Sequence, residues 1–220
     1  MGKTKKDVKR AIKRSRGGLG PDKYLTKSQQ NKLLSYVKAQ ADLGRARGSK
    51  RAVIDEMICL FLVQAGLRAS EVCNLKLKDL PVHHGKNCIW IENSKGKVSR
   101  TVAIPEKLSK VVKRFCRLYR KEAKPGDYLF ISSRGKKLCY MTLYQKIRRL
   151  GRKSGMGKLH PHMLRHTFAT RLYSVERDLL FVSDQLGHAN VSTTQIYART
   201  DNQARKDQIE KMYKINFGSL

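Results

Sequence analysis

Apolar residues recur every three to four positions between residues 26 and 65, which is the spacing of amphipathic helices. A first helix is predicted from Thr26, because Gln29 stands three residues later, as in a capping box. A second helix is predicted from Arg51, and its apolar stripe stops at Gly66. The stripe consists of Val53, Ile54, Met57, Ile58, Phe61, Leu62 and Ala65. Two packed helices are therefore expected before the sequence "LRASEVCNL".

The hydrophobic pattern changes from helical spacing to short β-prone runs in "NCIWIENSKGKVSRTVAIP". Residues 88–92 and 98–104 are two short β-prone runs, and the turn-forming "NSKG" lies between them. We predict an antiparallel hairpin tipped by Lys95 and Lys97.

Helical spacing returns after Pro105. Further helices are expected at residues 142–153, 161–173, 177–187 and 192–198, after a loop with a short apolar run in "KPGDYLFIS". The predicted fold class is therefore mainly α with a small antiparallel β-hairpin, that is, α+β. The apolar face of the helix after Pro105 is expected to contain Leu108, Val111, Val112, Phe115, Leu118 and Tyr119.

The two ends of the chain differ from its middle. Residues 1–23 carry nine Lys or Arg against two Asp. The same segment contains the helix-breaking sequence "GGLGP", so we expect a basic arm without a fixed fold. Residues 24–202 are expected to form one domain, because a chain of 220 residues buries one good-sized core. Residues 203–220 are expected to form an amphipathic tail, with apolar residues on one side and charged residues on the other.

Charge changes the picture more than any other property of the composition. Lys and Arg number 48 against 17 Asp and Glu, a formal net charge of +31. Such an excess indicates a polyanionic partner, and charge alone supports nucleic-acid binding of any kind, including simple adhesion to RNA. The sequence contains no apolar run of about 18 residues and no signal-like segment. We therefore expect a cytoplasmic location and no membrane partner.

Metal and disulfide chemistry find little support in the sequence. The carboxylates are scattered, without a D-x-D or H-E-x-x-H motif, so metal-dependent cleavage is not expected. The cysteines are odd in number and lack zinc-ligand spacing, and we expect reduced core thiols. They are Cys59, Cys73, Cys88, Cys116 and Cys139.

Basic side chains at helix ends are better candidates for chemistry. "HPHMLRHTFATRL" places His162, Arg165 and His166 on the first turns of a predicted helix, where His162 and Arg165 can face one phosphate. Arg68 follows a buried helix, and His188 ends "QLGH". Taken alone, the two histidines of the first motif are better explained by local capping and packing than by a functional site.

Four segments together resemble a known family. "GLRASEVCNL", "NSKGKVSRTVAIP", "HPHMLRHTFATRL" and "DQLGHANVSTTQIYA" are similar, in order and spacing, to the boxes of the tyrosine recombinase or phage integrase family. The resemblance covers about residues 24–200. It implies the tyrosine recombinase catalytic-domain fold and a DNA strand transferase that forms a 3′-phosphotyrosyl intermediate without metal, ATP or other cofactor.

The resemblance also implies roles for individual residues. Tyr197 is the nucleophile, His162 helps to take its proton, and His188 hydrogen-bonds the phosphoryl group. Glu71 matches the acidic position that supports the site, and His166 matches a position regarded as structural. The implied catalytic set is Arg68, Lys95, His162, Arg165, His188 and Tyr197.

These residue types suit the implied reaction. When a tyrosine attacks a phosphodiester, negative charge grows on the non-bridging oxygens, and the guanidiniums of Arg68 and Arg165 can donate to them in a fork. The departing 5′-oxygen needs a proton, for which Lys95 on its hairpin is the proposed donor. The phosphotyrosyl bond keeps a usable leaving group, so a 5′-hydroxyl can reverse the step.

Alternatives remain at this level. A type IB topoisomerase-like enzyme shares the chemistry, a non-catalytic DNA-binding protein shares the fold, and a general basic RNA-binding protein shares the charge. The expected partners are double-stranded DNA and further copies of the chain. The protein is expected to be a monomer when free and to form a dimer to tetramer on DNA. Residues 203–220 dock either on their own domain or, as the resemblance favours, on a neighbouring protomer.

The family resemblance leaves the organisation and the biological task open. Many members carry a helical core-binding domain before the first arginine box, whereas here only the basic arm precedes Thr26. A naturally short recombinase of a prokaryote or virus and a fragment of a longer integrase both fit. The DNA site, and the choice among integration, excision, inversion and dimer resolution, are likewise open.

Overall fold

The computed structural model describes most of the chain. The described residues are 22–81, 86–92, 99–132, 134–188 and 193–200, with side chains in the last segment as far as Tyr197. Nearly all of the predicted basic arm, the hairpin tip with Lys95 and Lys97, and the tail 203–220 lie outside the described residues.

Helices and one small sheet make up the described part of the chain. The first half contains α1 (Lys27–Ala46), α2 (Lys50–Gln64), α3 (Ala69–Asn74), a 3₁₀ turn (Leu77–Asp79), β1 (Cys88–Ile91) and β2 (Arg100–Ala103). The second half contains α4 (Glu106–Tyr119), α5 (Tyr140–Lys153), α6 (Pro161–Glu176), α7 (Leu179–Leu186) and α8 (Gln195–Thr200). The predicted fold class, mainly α with a small antiparallel hairpin, is confirmed.

The first helix starts as its sequence predicts. Thr26 caps α1: its hydroxyl accepts a hydrogen bond from the backbone N–H of Gln29 at 3.3 Å. The backbone N–H of Thr26 donates in return to the Gln29 side chain at 2.9 Å. Both otherwise unpaired donors are thus satisfied within four residues.

Helix α2 lies at the centre of the fold. Its sequence, "KRAVIDEMICLFLVQ", is apolar on nearly every side, and α2 packs against α1, α4, α5 and α6. A helix that is apolar all round is stable only when other elements cover it, which explains this central position. Its Phe61 ring meets Phe130, from the short apolar run after α4, edge to face at 5.9 Å.

The hairpin pairs β1 with β2 in an antiparallel register from Cys88–Ala103 to Ile91–Arg100. Ile89, Ile91 and Val102 face the core, as the predicted alternation requires. The side chain of Gln185 in α7 donates to the carbonyl of Ala103 at 2.7 Å and accepts from its N–H at 3.2 Å. This side chain therefore ties β2 to α7.

Some details differ from the sequence-based expectations. Leu118 is 53% exposed, so it does not belong to the buried face of α4. The expected helix 192–198 is α8, at Gln195–Thr200, and the expected helix 177–187 is α7, which Asp178 caps. Among the cysteines, Cys88 is half-buried and Cys139 is exposed, where its sulfur caps α5, so the expectation of five core thiols was wrong for these two.

Within the described residues, no helix is long and apolar enough to cross a membrane.

Candidate active site

Arg68 and Glu71 form a local pair at the start of α3. Arg68 is the N-cap residue, and its backbone N–H donates to the Glu71 carboxylate at 2.7 Å. The Arg68 guanidinium donates to the same carboxylate at 2.8 Å and to the carbonyl of Gly187 at 2.7 Å. The guanidinium is thereby held between the start of α3 and the end of α7.

Glu71 also binds a second arginine. Arg100, at the start of β2, donates two hydrogen bonds to its carboxylate at 2.8 and 3.1 Å. A nitrogen of Arg165 lies 3.9 Å from the carboxylate. Burial opposes ionisation of Glu71, but the hydrogen bonds and charge of Arg100 outweigh it and hold its pKa below the ordinary value. One carboxylate therefore organises three guanidiniums.

Arg165 is almost completely buried, with 3% exposure. Its guanidinium donates to the carbonyl of Gly66 at 2.6 Å and to the carbonyl of Leu186 at 2.7 Å. Burial, and then the charge of Arg68, lower its pKa to about 10, so it stays positively charged at neutral pH. A guanidinium has five N–H groups, so this anchoring leaves donors for a ligand.

The first turn of α6 borders an open cationic cavity. Pro161 is the first residue of α6, and His160 caps the helix by accepting from the N–H of Met163 at 3.2 Å. A cavity of about 150 Å³ is lined by Arg68, His162 and Arg165, among others. Two guanidiniums and a helix N-terminus make this cavity suited to an anion.

Tyr197, on α8, is shielded from solvent. Its side chain is 1% exposed, and its hydroxyl lies 2.9 Å from Nδ1 of His166. Its ring lies 5.8 Å from the His166 ring and 6.5 Å from that of His188. Burial raises the pKa of Tyr197 to about 12, although Arg165 and Arg68 act to lower it. The phenol is therefore protonated at neutral pH.

His188 connects the end of α7 to the segment before α8. It follows Gly187, whose φ of +66° lets the chain leave the helix in the left-handed conformation. Nδ1 of His188 lies 2.9 Å from the hydroxyl of Thr194. Burial, and then the charges of Arg165 and Arg68, lower the pKa of His188 to about 4, so it is neutral at pH 7.

The fold thus brings together most of the residues singled out by the sequence. They come from α3, α6, α8 and the end of α7, whereas Lys95 lies outside the described residues. The assembled residues are Arg68, Glu71, His162, Arg165, His188 and Tyr197. Within the described residues, no three His, Cys, Asp or Glu side chains are grouped as metal ligands.

Two residues of this cluster were not assigned to the site from sequence. His166, which the resemblance marked as structural, contacts the Tyr197 hydroxyl. Arg100 binds Glu71 across the fold. His166 directly follows Arg165 in its motif, and this adjacency was a usable signal. Arg100 is one of many cations near the hairpin, and nothing in the sequence marks its partner.

The structure is a helical domain with one hairpin, in which the rings of His166 and His188 lie beside a buried tyrosine. The chain belongs to the phage integrase family, whose sequence model matches residues 23–204. The resemblance drawn from the four motifs is confirmed.

Individual relatives agree with this assignment. The chain is 34% identical over 192 residues to tyrosine recombinase XerA of Pyrococcus furiosus, and the match covers 86% of this chain and 61% of that protein. It resembles the crystal structure of XerA recombinase with a TM-score of 0.69 and 30% identity, covering 88% of this chain and 65% of the other.

A second solved structure is XerH site-specific recombinase bound to difH substrate in a pre-cleavage complex. The TM-score is 0.67 at 28% identity, and the match covers 85% of this chain and 52% of the other. The chain spans between half and about three fifths of the length of the curated relatives described.

Proposed function

We propose that the protein is a tyrosine site-specific recombinase that cleaves and rejoins double-stranded DNA through a covalent 3′-phosphotyrosyl intermediate, without metal or ATP. The burial of the Tyr197 hydroxyl in a cluster of two arginines and three histidines carries this proposal. Membership of the phage integrase family and the likeness to a recombinase bound to its difH substrate support it.

In this proposal Arg68 and Arg165 clamp the scissile phosphate. Both line the cationic cavity, and both are anchored to backbone carbonyls. Anchored donors need little rearrangement when negative charge grows on the phosphoryl oxygens, which is how a preorganised site stabilises a transition state. Glu71 supports the clamp by holding Arg68 and Arg100 in place.

The bond changes are those of a reversible transesterification. A bond forms between the Tyr197 oxygen and phosphorus while the bond from phosphorus to the 5′-oxygen breaks, and Lys95 supplies the proton that the departing oxygen needs. His188 hydrogen-bonds the phosphoryl group, and His162 lies at the cavity to assist proton transfer. A 5′-hydroxyl of another strand then reverses the step.

The proposed partner is DNA in the cytoplasm of a prokaryotic or virus-infected cell. A net charge of +31 favours phosphate contacts, and it also keeps free copies of the chain apart. We therefore propose a monomer in solution and a dimer to tetramer on DNA, in which the tail 203–220 docks on the neighbouring protomer.

Trapping the covalent adduct tests this function. The full chain is incubated with a library of nicked DNA duplexes, denatured, and examined for protein-linked DNA. Tyr197→Phe should bind DNA with nearly unchanged affinity but form no adduct. Tyr173→Phe is the matched control, because Tyr173 packs in the same small apolar cluster and should retain adduct formation. An adduct formed by Tyr197→Phe, or none formed by the wild type, would refute the proposal.

A further inference from the structure

His166 is the group placed to receive a proton from Tyr197. Its Nδ1 lies 2.9 Å from the tyrosine hydroxyl, a normal hydrogen-bond distance. Among the described residues, no other side chain hydrogen-bonds this hydroxyl. His162, the acceptor that the resemblance implies, instead stacks on His166 at 5.7 Å between ring centres.

The phenol needs such an acceptor. With a pKa raised to about 12 by burial, only about 1 in 10⁵ Tyr197 hydroxyls is ionised at pH 7. Attack on phosphorus is therefore efficient only if a neighbouring base takes the proton as the new bond forms.

His166 is in the protonation state that a base requires. Burial, and then the positive charges around it, hold its pKa at about 4, so the imidazole is neutral at pH 7. Nδ1 can accept when the proton of the neutral ring is on Nε2. The groups that act on His166 are His162 and Arg165 in α6, His160 at the helix cap, and Lys23 before α1.

The positively charged neighbours of His166 make its ability to accept a proton depend on bound DNA. All four favour a neutral His166, which leaves it a weak base in the free protein. A phosphodiester bound between Arg68 and Arg165 would bring negative charge to the cluster and offset this positive field. The pKa of His166 would then rise towards the range in which a base is effective.

We propose that His166 is the catalytic residue that accepts the Tyr197 proton during cleavage and returns it during rejoining, a role that rests on the proposed function. In cleavage, the tyrosine O–H bond breaks and an Nδ1–H bond forms, as the oxygen–phosphorus bond forms and the 5′-oxygen departs with a proton from a separate donor. In rejoining, Nδ1–H returns its proton to the departing phenolate.

The experiment combines histidine variants with a more acidic nucleophile. Single-turnover cleavage by the full chain is measured on the duplex that gives most adduct with the wild type. Position 197 carries either tyrosine or difluorotyrosine, whose phenol loses its proton more easily. His166→Ala and His166→Gln are compared with His162→Ala, a matched change one helical turn away.

A base role predicts a specific pattern. His166→Ala and His166→Gln should both lose on the order of a hundredfold or more in rate, as expected for lost general-base catalysis. Difluorotyrosine should recover at least tenfold of that loss, and added imidazole should accelerate His166→Ala. His162→Ala removes a residue that assists proton transfer without contacting the Tyr197 hydroxyl, so it should gain less from difluorotyrosine than His166→Ala does.

Two outcomes would overturn the role. If His166→Gln cleaves as fast as the wild type, His166 only positions the phenol, because glutamine keeps a hydrogen bond but takes no proton. If neither difluorotyrosine nor imidazole raises the cleavage rate of His166→Ala, the substitution did not remove a proton-transfer step. The His166→Gln variant removes the titratable ring with little change in side-chain volume. Unchanged DNA affinity of this variant shows that it is folded. Absence of any wild-type adduct would instead refute the proposed function.

Discussion

The junction between α2 and α3 offers a test that links stability to the site. Gly66 has a φ of +64°, and a methyl group added there would lie 2.2 Å from Cδ1 of Phe168. The carbonyl of Gly66 also accepts a hydrogen bond from Arg165. Gly66→Ala therefore strains the backbone, collides with an aromatic ring and disturbs the anchor of a proposed clamp residue.

Gly48 provides the matched control. It has a similar φ of +67°, but a methyl group there would meet nothing within 4 Å. Left-handed backbone costs a non-glycine residue about 1–2 kcal/mol, and this cost applies to both variants. Overpacking adds about 1–3 kcal/mol at Gly66 alone. We expect losses of about 2–5 kcal/mol for Gly66→Ala and about 1–2 kcal/mol for Gly48→Ala.

Urea unfolding followed by circular dichroism measures both losses. Cleavage is then measured under conditions in which both variants are fully folded. Gly66→Ala should cleave more slowly, because Arg165 loses its aligned acceptor, whereas Gly48→Ala should cleave normally. Equal losses of stability in the two variants would show that Phe168 moves aside without cost, and normal cleavage by Gly66→Ala would show that the Gly66 carbonyl does not position Arg165.

Four further outcomes are expected. Glu71→Gln should destabilise the fold by about 3 kcal/mol, measured by urea unfolding, because it leaves the largely buried guanidinium of Arg100 without its counter-charge. Lowering the pH from 6.5 to about 4 should reduce the free energy of unfolding, because His166 and His188 have pKa values of about 4 in the folded chain and take up protons only on unfolding; His166→Gln should flatten this dependence in melts at several pH values. Lys95→Ala should regain cleavage on a 5′-bridging phosphorothiolate, whose sulfur departs without a proton, and equal defects on both substrates would remove its acid role. Truncation after Asp201 should spare folding and single-site binding in gel-shift assays but weaken cooperative assembly, whereas an unfolded product would mean that the tail belongs to the core.

Local features of the structure were predictable because their causes lie within a few residues. The capping box of α1 needs only Thr26 and Gln29, and the hairpin needs only two alternating runs around a turn. The pairing of Arg68 with Glu71 also spans three residues. Hydrophobic spacing was less informative about burial: it put Leu118 on the apolar side of α4, but spacing does not tell whether another element covers that side.

The chain by itself determined the helices, the hairpin, the family and the set of residue types available for chemistry. Tertiary packing decided which of them meet. Arg100 reaches Glu71 across 29 positions, and His166 reaches Tyr197 across 31. Such contacts depend on how α6 packs against α2 and α8, and on how α7 packs against β2, which no local pattern specifies. The same burial shifts the pKa values of Tyr197 and its histidines, because removing water penalises the charged form of each group.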